Sequence, residues 1–581
     1  MNWYLKELES RQTEGTLQIL DRVHLPQQVA LPHSGARPSL CITPDGEIRC
    51  YSAVDGGNEQ GYLEGIDCGL NWKEHYAKEG VGAGTYDPAS RRWLRLCSDE
   101  DGTWCAYSSN GPDSTDIVRI KVSERPYAVD MLPRIASDGS VYAAGYAETA
   151  NGYETAFFRS SDSGDHWECA VVEPIAPFSA VYPDKVARPN VNGAYPTVLE
   201  KKDGSMWMLV ATSDDYLWEY TSADGGRVWS AARRTTLHAT YTGACLTRLS
   251  DGRILLIWNN TSPMPTRVGV DTTLTNRDVC HCAISEDEGL SWIGQREVFL
   301  PACRAYADYS VRGGDGVTDF EVLEVPRGRI LLHFGHTPDT ERIVLFALDY
   351  LQDEGRTEDF LDGMAYFSTQ SYLKNGNGAC LNRIPGAIPV QDPDTVMNEK
   401  TKREVLHVYR YHDARLLSET MGAVQNFPAW EMGEITVEVR ISGAPLRVSL
   451  ADHWINPSDP CAEEKSVFSF TFDYLDAGRI FDYLDDSGRE TNLWSTYKIV
   501  YSLKHRKAVV VWSDMPEEDQ FEDRFLHKCI FSIRQNHRVE APNGLSYIHF
   551  QTTAQDADDK GAHIGRIEYR RIDEFPYTDL S

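Results

Sequence analysis

Nowhere along the 581 residues is there an apolar run of eighteen or more, so no segment can cross a bilayer as a helix. Positive charge is also scarce. Lys and Arg number 57 against 87 Asp and Glu, a net charge of −30, which disfavours nucleic acid as a partner. Solubility is its simplest consequence, and an anionic substrate would need a local basic pocket. CxxC pairs are missing, although there are thirteen cysteines, an odd number. Cys280 and Cys282 flank His281, and alternation puts the two sulfurs on one face of a strand and the imidazole on the other. Buried small hydrophobes fit that arrangement better than a zinc site, and no cofactor or metal is expected. The opening residues, MNWYLKELESRQTEG, lack the apolar core of an export signal. With unpaired thiols, this predicts a reducing, cytoplasmic location.

What the chain has is repetition. Asp-x-Gly-x-x-Trp occurs four times, at Asp67/Gly69/Trp72, Asp162/Gly164/Trp167, Asp224/Gly226/Trp229 and Asp287/Gly289/Trp292. Three copies carry a serine two positions ahead, as in SSDSGDHW. In such a box the Asp accepts from the backbone N–H groups of its own turn, the Gly supplies a positive φ, and the Trp fills space between sheets. A second repeat is a tight turn between apolar runs: Asp45-Gly46, Asp101-Gly102, Asp138-Gly139, Asp203-Gly204, Asp251-Gly252 and the degenerate Arg327-Gly328. Asp-Gly between apolar runs is the strongest short hairpin signal. Six unequally spaced hairpins predict six blades.

The boxes resemble those of the sialidase (neuraminidase) superfamily of Asp-box, or BNR-repeat, β-propellers. The expected fold class is all-β, a six-bladed β-propeller followed by a β-sandwich of jelly-roll type. The sandwich is read from strands of alternating aromatics such as VFSFTFDYL and TYKIVYSL. Expected boundaries are 1–352 for the propeller, 353–400 for a loop-rich linker and 401–581 for a lectin-like sandwich.

The resemblance also implies site residues at one mouth of the central channel. Arg37, in SGARPSL, matches the Arg-Ile-Pro segment whose arginine grips a substrate carboxylate, a task suited to a planar guanidinium. Arg277 stands ten residues before the fourth box, where the family carries a second such arginine. The third has no counterpart, because its strand ends in Asn259 and Asn260; Arg188, Arg267 and Arg312 are the available substitutes. Tyr309 matches the tyrosine nucleophile when counted from the fourth box. Counting back from the turn at Arg327-Gly328 gives Asp319 instead. The glutamate that activates the tyrosine falls at Gly243, which favours Asp319 as the catalytic carboxylate. Asp55 matches the acid/base, and His336 is a further candidate at the channel mouth.

These residues predict a sialidase-like exo-glycoside hydrolase acting on a terminal sugar of a glycan, such as an acidic one of the sialic-acid type. Two rivals stand beside it, a polysaccharide lyase on a related propeller and a non-catalytic glycan-binding propeller. Self-association into a homo-oligomer is left open.

Overall fold

The computed structural model describes residues 4–32, 36–53, 60–77, 80–180, 188–266, 272–274, 276–299, 316–337, 339–361, 366–374, 380–392, 403–410, 420–473, 494–513 and 528–578. Six four-stranded antiparallel sheets, the blades, follow one another through the first part of the chain. Their first strands are Ala36–Ile42, Thr85–Asp87, Arg134–Ile135, Ala194–Glu200, Cys245–Arg248 and Glu321–Val325.

Burial explains why the middle strands read as unbroken apolar runs. Met206–Ala211 and Ile254–Trp258 are buried at every position, because each sheet is covered on both faces by its neighbours. Six hydrophobic clusters fill the six spaces between successive blades. One joins Tyr142 and Phe157 of the third blade to Met206 and Met208 of the fourth, and the next joins Trp207 and Leu209 to Leu256 and Trp292. The last joins Leu331 and Leu345 to Leu40 and Ile48, which closes the ring.

Closure uses the N-terminus. Gln27–Val29 pairs with Arg342–Ala347 as the outer strand of the sixth blade. That blade has no Asp box for this reason: the turn that would carry the box is replaced by a strand from the start of the chain. Two helices before this strand, Leu5–Ser10 and Glu14–Arg22, bury Leu8, Leu17 and Leu20 in the closing cluster.

All four boxes lie between the third and fourth strands of their blades. In three of them the wiring is the same. Ser160, Ser222 and Ser285 each donate to the box Asp at 2.7–2.9 Å and accept from the box Gly N–H at 2.8–2.9 Å. The first box has no such serine, and Thr16 of the second helix donates to Asp67 instead, at 3.2 Å. The box glycines do more than turn the chain. A Cβ on Gly69, Gly164, Gly226 or Gly289 would press on Leu331, Leu94, Phe157 or Trp207, each on the preceding blade.

Two expectations need correction. Asp101-Gly102 joins the second and third strands of the second blade, whereas the other five Asp-Gly-type turns join first to second. The first turn of that blade is Asp87–Arg92, where Asp87 accepts from Ala89 N–H and Ser90 Oγ. The same local chemistry serves either turn, so sequence could not tell them apart. The stretch 353–400 is also not merely loop: Gly355–Glu358, Phe367–Ser368 and Ala387–Gln391 all pair with strands of the C-terminal part.

That part is built on two sheets sharing one apolar core, beside a hairpin of Gln370–Lys374 and Cys380–Pro385. The larger runs in the order Ala387–Gln391, Glu404–Arg410, Asp558–Arg571, Met432–Ile441, Ser495–Ser502, Lys507–Ser513, Lys528–Arg534. The smaller centres on Gly422–Trp430, Leu545–Thr552 and Leu446–Ala451. Alternation in Met432–Ile441 is strict, with every second residue buried against the opposite sheet. The sandwich rests on the fourth and fifth blades. Asn260 donates from its side chain to Asp452 O (2.9 Å) and accepts from Trp454 N–H (2.9 Å). His281 Nε2 meets the Tyr547 hydroxyl at 2.5 Å, and that hydroxyl donates to Glu297 at 2.8 Å.

Candidate active site

A cavity of about 690 Å³ opens along the ring's axis, lined by the first strands of the blades, the links that enter them and, in the second blade, the second strand Arg92–Asp99. Its carboxyls are Asp130, Asp319 and Glu321, its cations Arg95 and Arg134, and Tyr195 and Gly243 complete the part that matters for chemistry.

Asp319 enters the sixth blade in a left-handed conformation, φ +58°, which aspartate tolerates better than most residues. Its Oδ2 lies 2.9 Å from Nδ1 of His336, which follows the second strand of the same blade. The structure thus brings together two residues that sequence nominated separately. His336 is about half exposed and Asp319 about a fifth, so the pair sits at the mouth rather than in the core.

Two positions further in, Glu321 faces the cavity. Burial pushes its carboxyl up from 4.5 to about 8; Arg134 opposes this, and Asp130 and Asp319 add to it. Glu321 keeps some contact with channel solvent, but protein surrounds it on the remaining sides. Both arginines have their guanidinium groups engaged by backbone. Arg134 donates to Val198 O at 2.8 Å and to Leu246 O, and Arg95 donates to Val81 O at 3.2 Å.

Asp130 accepts from the Tyr146 hydroxyl at 2.8 Å, and the Tyr146 and Tyr195 rings are 4.9 Å apart. Burial and the neighbouring carboxyl of Asp130 hold the Tyr146 phenol well above its usual range, and burial raises that of Tyr195. Neither is disposed to ionise near neutrality. Tyr195, itself at φ +53°, explains Gly243: a Cβ there would lie 2.7 Å from the Tyr195 Cβ. The missing glutamate is therefore a matter of space, since the tyrosine of the neighbouring blade already occupies it.

Of the other expected residues, Arg188 is corrected. Its side chain is 1 % exposed, ion-paired to Asp215 and stacked 4.8 Å over Phe178, and it is not part of the channel lining. Arg277 lies outside that lining as well; its carbonyl accepts from Val317 N–H at 3.1 Å, tying the fifth blade to the entry of the sixth. Asn259 donates to Val279 O and Val317 O at 2.7 and 3.0 Å, and Asn260 docks the sandwich, so both asparagines have structural work. Arg37 is the second residue of the first strand of the first blade, and its side chain lies outside the described residues, as do Asp55, Arg267, Tyr309 and Arg312.

Among the described residues, two buried groups bring metal-ligand types together, Cys50/His333/Glu341 and His238/Asp452/His453. In the first, His333 is already hydrogen-bonded to Glu341 at 2.6 Å and approached by Cys50 Sγ at 3.1 Å. In the second, the imidazoles stack at 3.7 Å, and Asp452 lies 2.7 Å from His453 Nδ1.

Sequence reasoning missed Asp130, Tyr195 and Glu321. A signal existed for the first two. Asp319 stands eight residues before Arg327, and Asp130 and Tyr195 stand eight before Asp138 and Asp203.

Residues 76–302 match the BNR repeat-like domain. No curated protein matches the chain. Among solved structures, the chain is similar to a protein of unknown function from Dyadobacter fermentans, with 14 % identity, 56 % of this chain and 99 % of that chain covered, and a TM-score of 0.35. A sialidase from Trypanosoma rangeli shows 11 % identity over 95 % of each chain, with a TM-score of 0.33. An intramolecular trans-sialidase from Ruminococcus gnavus shows 15 % identity, covering 56 % of this chain and 81 % of that chain, with a TM-score of 0.32.

Proposed function

We propose that this all-β chain, whose propeller is of the sialidase, or BNR-repeat, type, is a glycoside hydrolase that removes a terminal sugar at the mouth of the channel. One observation carries the reading: a single cavity holds Asp319, oriented by His336, beside Glu321, a carboxyl kept protonated at neutral pH by burial. Glycosidic cleavage needs two such groups with different protonation states. Glu321 would give its proton to the leaving oxygen, and Asp319 would take one from water or attack the anomeric carbon. Asp130, held by Tyr146, is placed to accept from sugar hydroxyls. The described lining sets three carboxyls against two arginines whose guanidinium groups already serve backbone carbonyls. That balance favours a neutral sugar over an acidic one.

The test is a panel of chromogenic glycosides, neutral hexosides against sialosides and uronides, on wild type, Asp319→Asn, Glu321→Gln and Tyr309→Phe. Expected is turnover of a neutral glycoside that falls at least a hundredfold in Asp319→Asn and Glu321→Gln and survives in Tyr309→Phe. Asparagine also tolerates φ > 0, so Asp319→Asn should keep its melting temperature. A dead Tyr309→Phe with active Asp319→Asn and sialoside turnover would replace this reading with an ordinary sialidase. An unsaturated product absorbing in the ultraviolet would replace it with a lyase.

A further inference from the structure

We propose that the outer face of the larger sandwich sheet holds a binding pocket for an oxyanion carried on a glycan, a sulfate or carboxylate substituent. A cavity of about 380 Å³ lies there, lined by His505, Arg506, Lys507, Arg534 and His537, with Ser532 and Gln535 as neutral donors. Among the described residues no acidic one lines it, in a chain where acids outnumber bases by 87 to 57.

Register sharpens the point. Lys507 and Arg534 are direct partners across the Lys507–Ser513/Lys528–Arg534 ladder. Like charges facing each other across a ladder are unfavourable. None of Arg506, Lys507 and Arg534 forms an ion pair among the described residues. An anion between Lys507 and Arg534 turns a repulsive pair into a clamp, and the guanidinium fork suits the paired oxygens of a sulfate or carboxylate.

The walls are fixed in advance. Arg506 sits in the preceding turn at φ +53°, its N–H donating to Leu503 O (3.1 Å) and its carbonyl accepting from Gln535 N–H (3.0 Å). The His505 ring stacks on Phe575 at 5.2 Å, and its Nδ1 is 2.9 Å from Ser502 Oγ. Phe575 is itself anchored against Val500, Val509 and Val511. A pocket of this size takes one charged substituent, and a net charge of −30 repels a continuous polyanion. A glycan with spaced anionic groups suits both conditions. This inference stands whether or not the channel is hydrolytic.

Calorimetric titration at fixed ionic strength compares the full-length protein with its Lys507→Gln/Arg534→Gln double variant. The titrants are a sulfated galactan oligosaccharide, the same oligosaccharide desulfated, inorganic sulfate and a single-stranded oligonucleotide. Expected is binding of the sulfated oligosaccharide at least tenfold tighter than the desulfated one or inorganic sulfate, lost at least tenfold in the double variant. In chloride buffer the double variant should melt at or above the wild-type temperature, because a repulsion has been removed. Equal binding of sulfated and desulfated chains, or undiminished binding by the folded double variant, overturns the pocket. Inorganic sulfate or the oligonucleotide binding as tightly as the sulfated glycan overturns the ligand class.

Discussion

Gly226→Ala isolates what an Asp box contributes to the ring. Gly226 has φ +92°, and an added Cβ would stand 2.6–2.7 Å from Phe157 Cδ1 and Cζ. Phe157 cannot yield easily: it is 1 % exposed and wedged between Tyr142 and Trp229. Two costs therefore combine. An L-residue in the left-handed region costs roughly 1–2 kcal/mol, and forcing a methyl into a packed core adds about 1–3 kcal/mol. Gly204→Ala is the internal control, because Gly204 has a similar φ, +82°, with nothing within 4 Å of its Cβ position. It should show the backbone cost alone. For a ring of about 320 residues, an unfolding entropy near 2.1 cal/mol/K per residue converts about 2–5 kcal/mol into a fall of about 3–7 °C for Gly226→Ala. Gly204→Ala should fall by about 1.5–3 °C on the same scale. Calorimetric melting of both variants and of wild type measures the difference. Equal shifts would mean that the box glycine does not bear on the neighbouring blade, and that packing between blades does not depend on the box.

Trp292→Ala, which empties a nearly buried position against Trp207, should cost about 3–5 kcal/mol; Trp167→Ala should cost less, since Trp167 is only half-buried, and thermal melts of the two rank them. Arg188→Ala should destabilise by about 3–5 kcal/mol, because it leaves Asp215 without its buried partner; the KM for substrate should stay near wild type, and a rise in KM with unchanged melting would return Arg188 to the binding site. Glu321 stays protonated in the folded state up to about pH 8 but ionises near 4.5 when unfolded. Its contribution to stability is therefore full below about 4.5 and is lost as pH rises through 8. Glu321→Gln should gain melting temperature relative to wild type across that window, and a difference independent of pH would remove the raised carboxyl.

Local chemistry made the scaffold legible. The Asp boxes and Asp-Gly turns are short-range hydrogen-bonding units, and their serines, aspartates and glycines do in the structure what their types allow. Closure of the ring was not legible. Gln27–Val29 is three residues long and pairs with Ile343–Leu345 far along the chain, so no local pattern announces it. The same holds for Gly355–Glu358 and Phe367–Ser368: short strands in a stretch rich in glycine and polar residues are fixed by the partner strand and not by their own alternation. Arg188 was misjudged because a guanidinium before a blade reads alike whether it meets a ligand or Asp215.

The channel mouth was half legible, and the reason lies in the blade geometry. Arg37, Asp130, Tyr195, Gly243 and Asp319 each stand eight residues before the turn that joins the first two strands of their blade. Equal distance from that turn places equivalent residues at one height in the ring, so the count that found Asp319 also finds Asp130 and Tyr195 once applied to every blade. The count cannot say what each position does. Gly243 holds no side chain because Tyr195 fills the volume, a fact visible only when two blades are side by side. The glutamate that the resemblance implies there has no room, and Glu321 is a carboxyl of the same cavity. Its raised carboxyl comes from burial and from the two carboxyls near it, none of which a single sequence displays. On the proposed reading, the buried carboxyl stands one blade round from Gly243 and two positions further in than Asp319, so the box turns and the carboxyls of the channel can vary independently of each other.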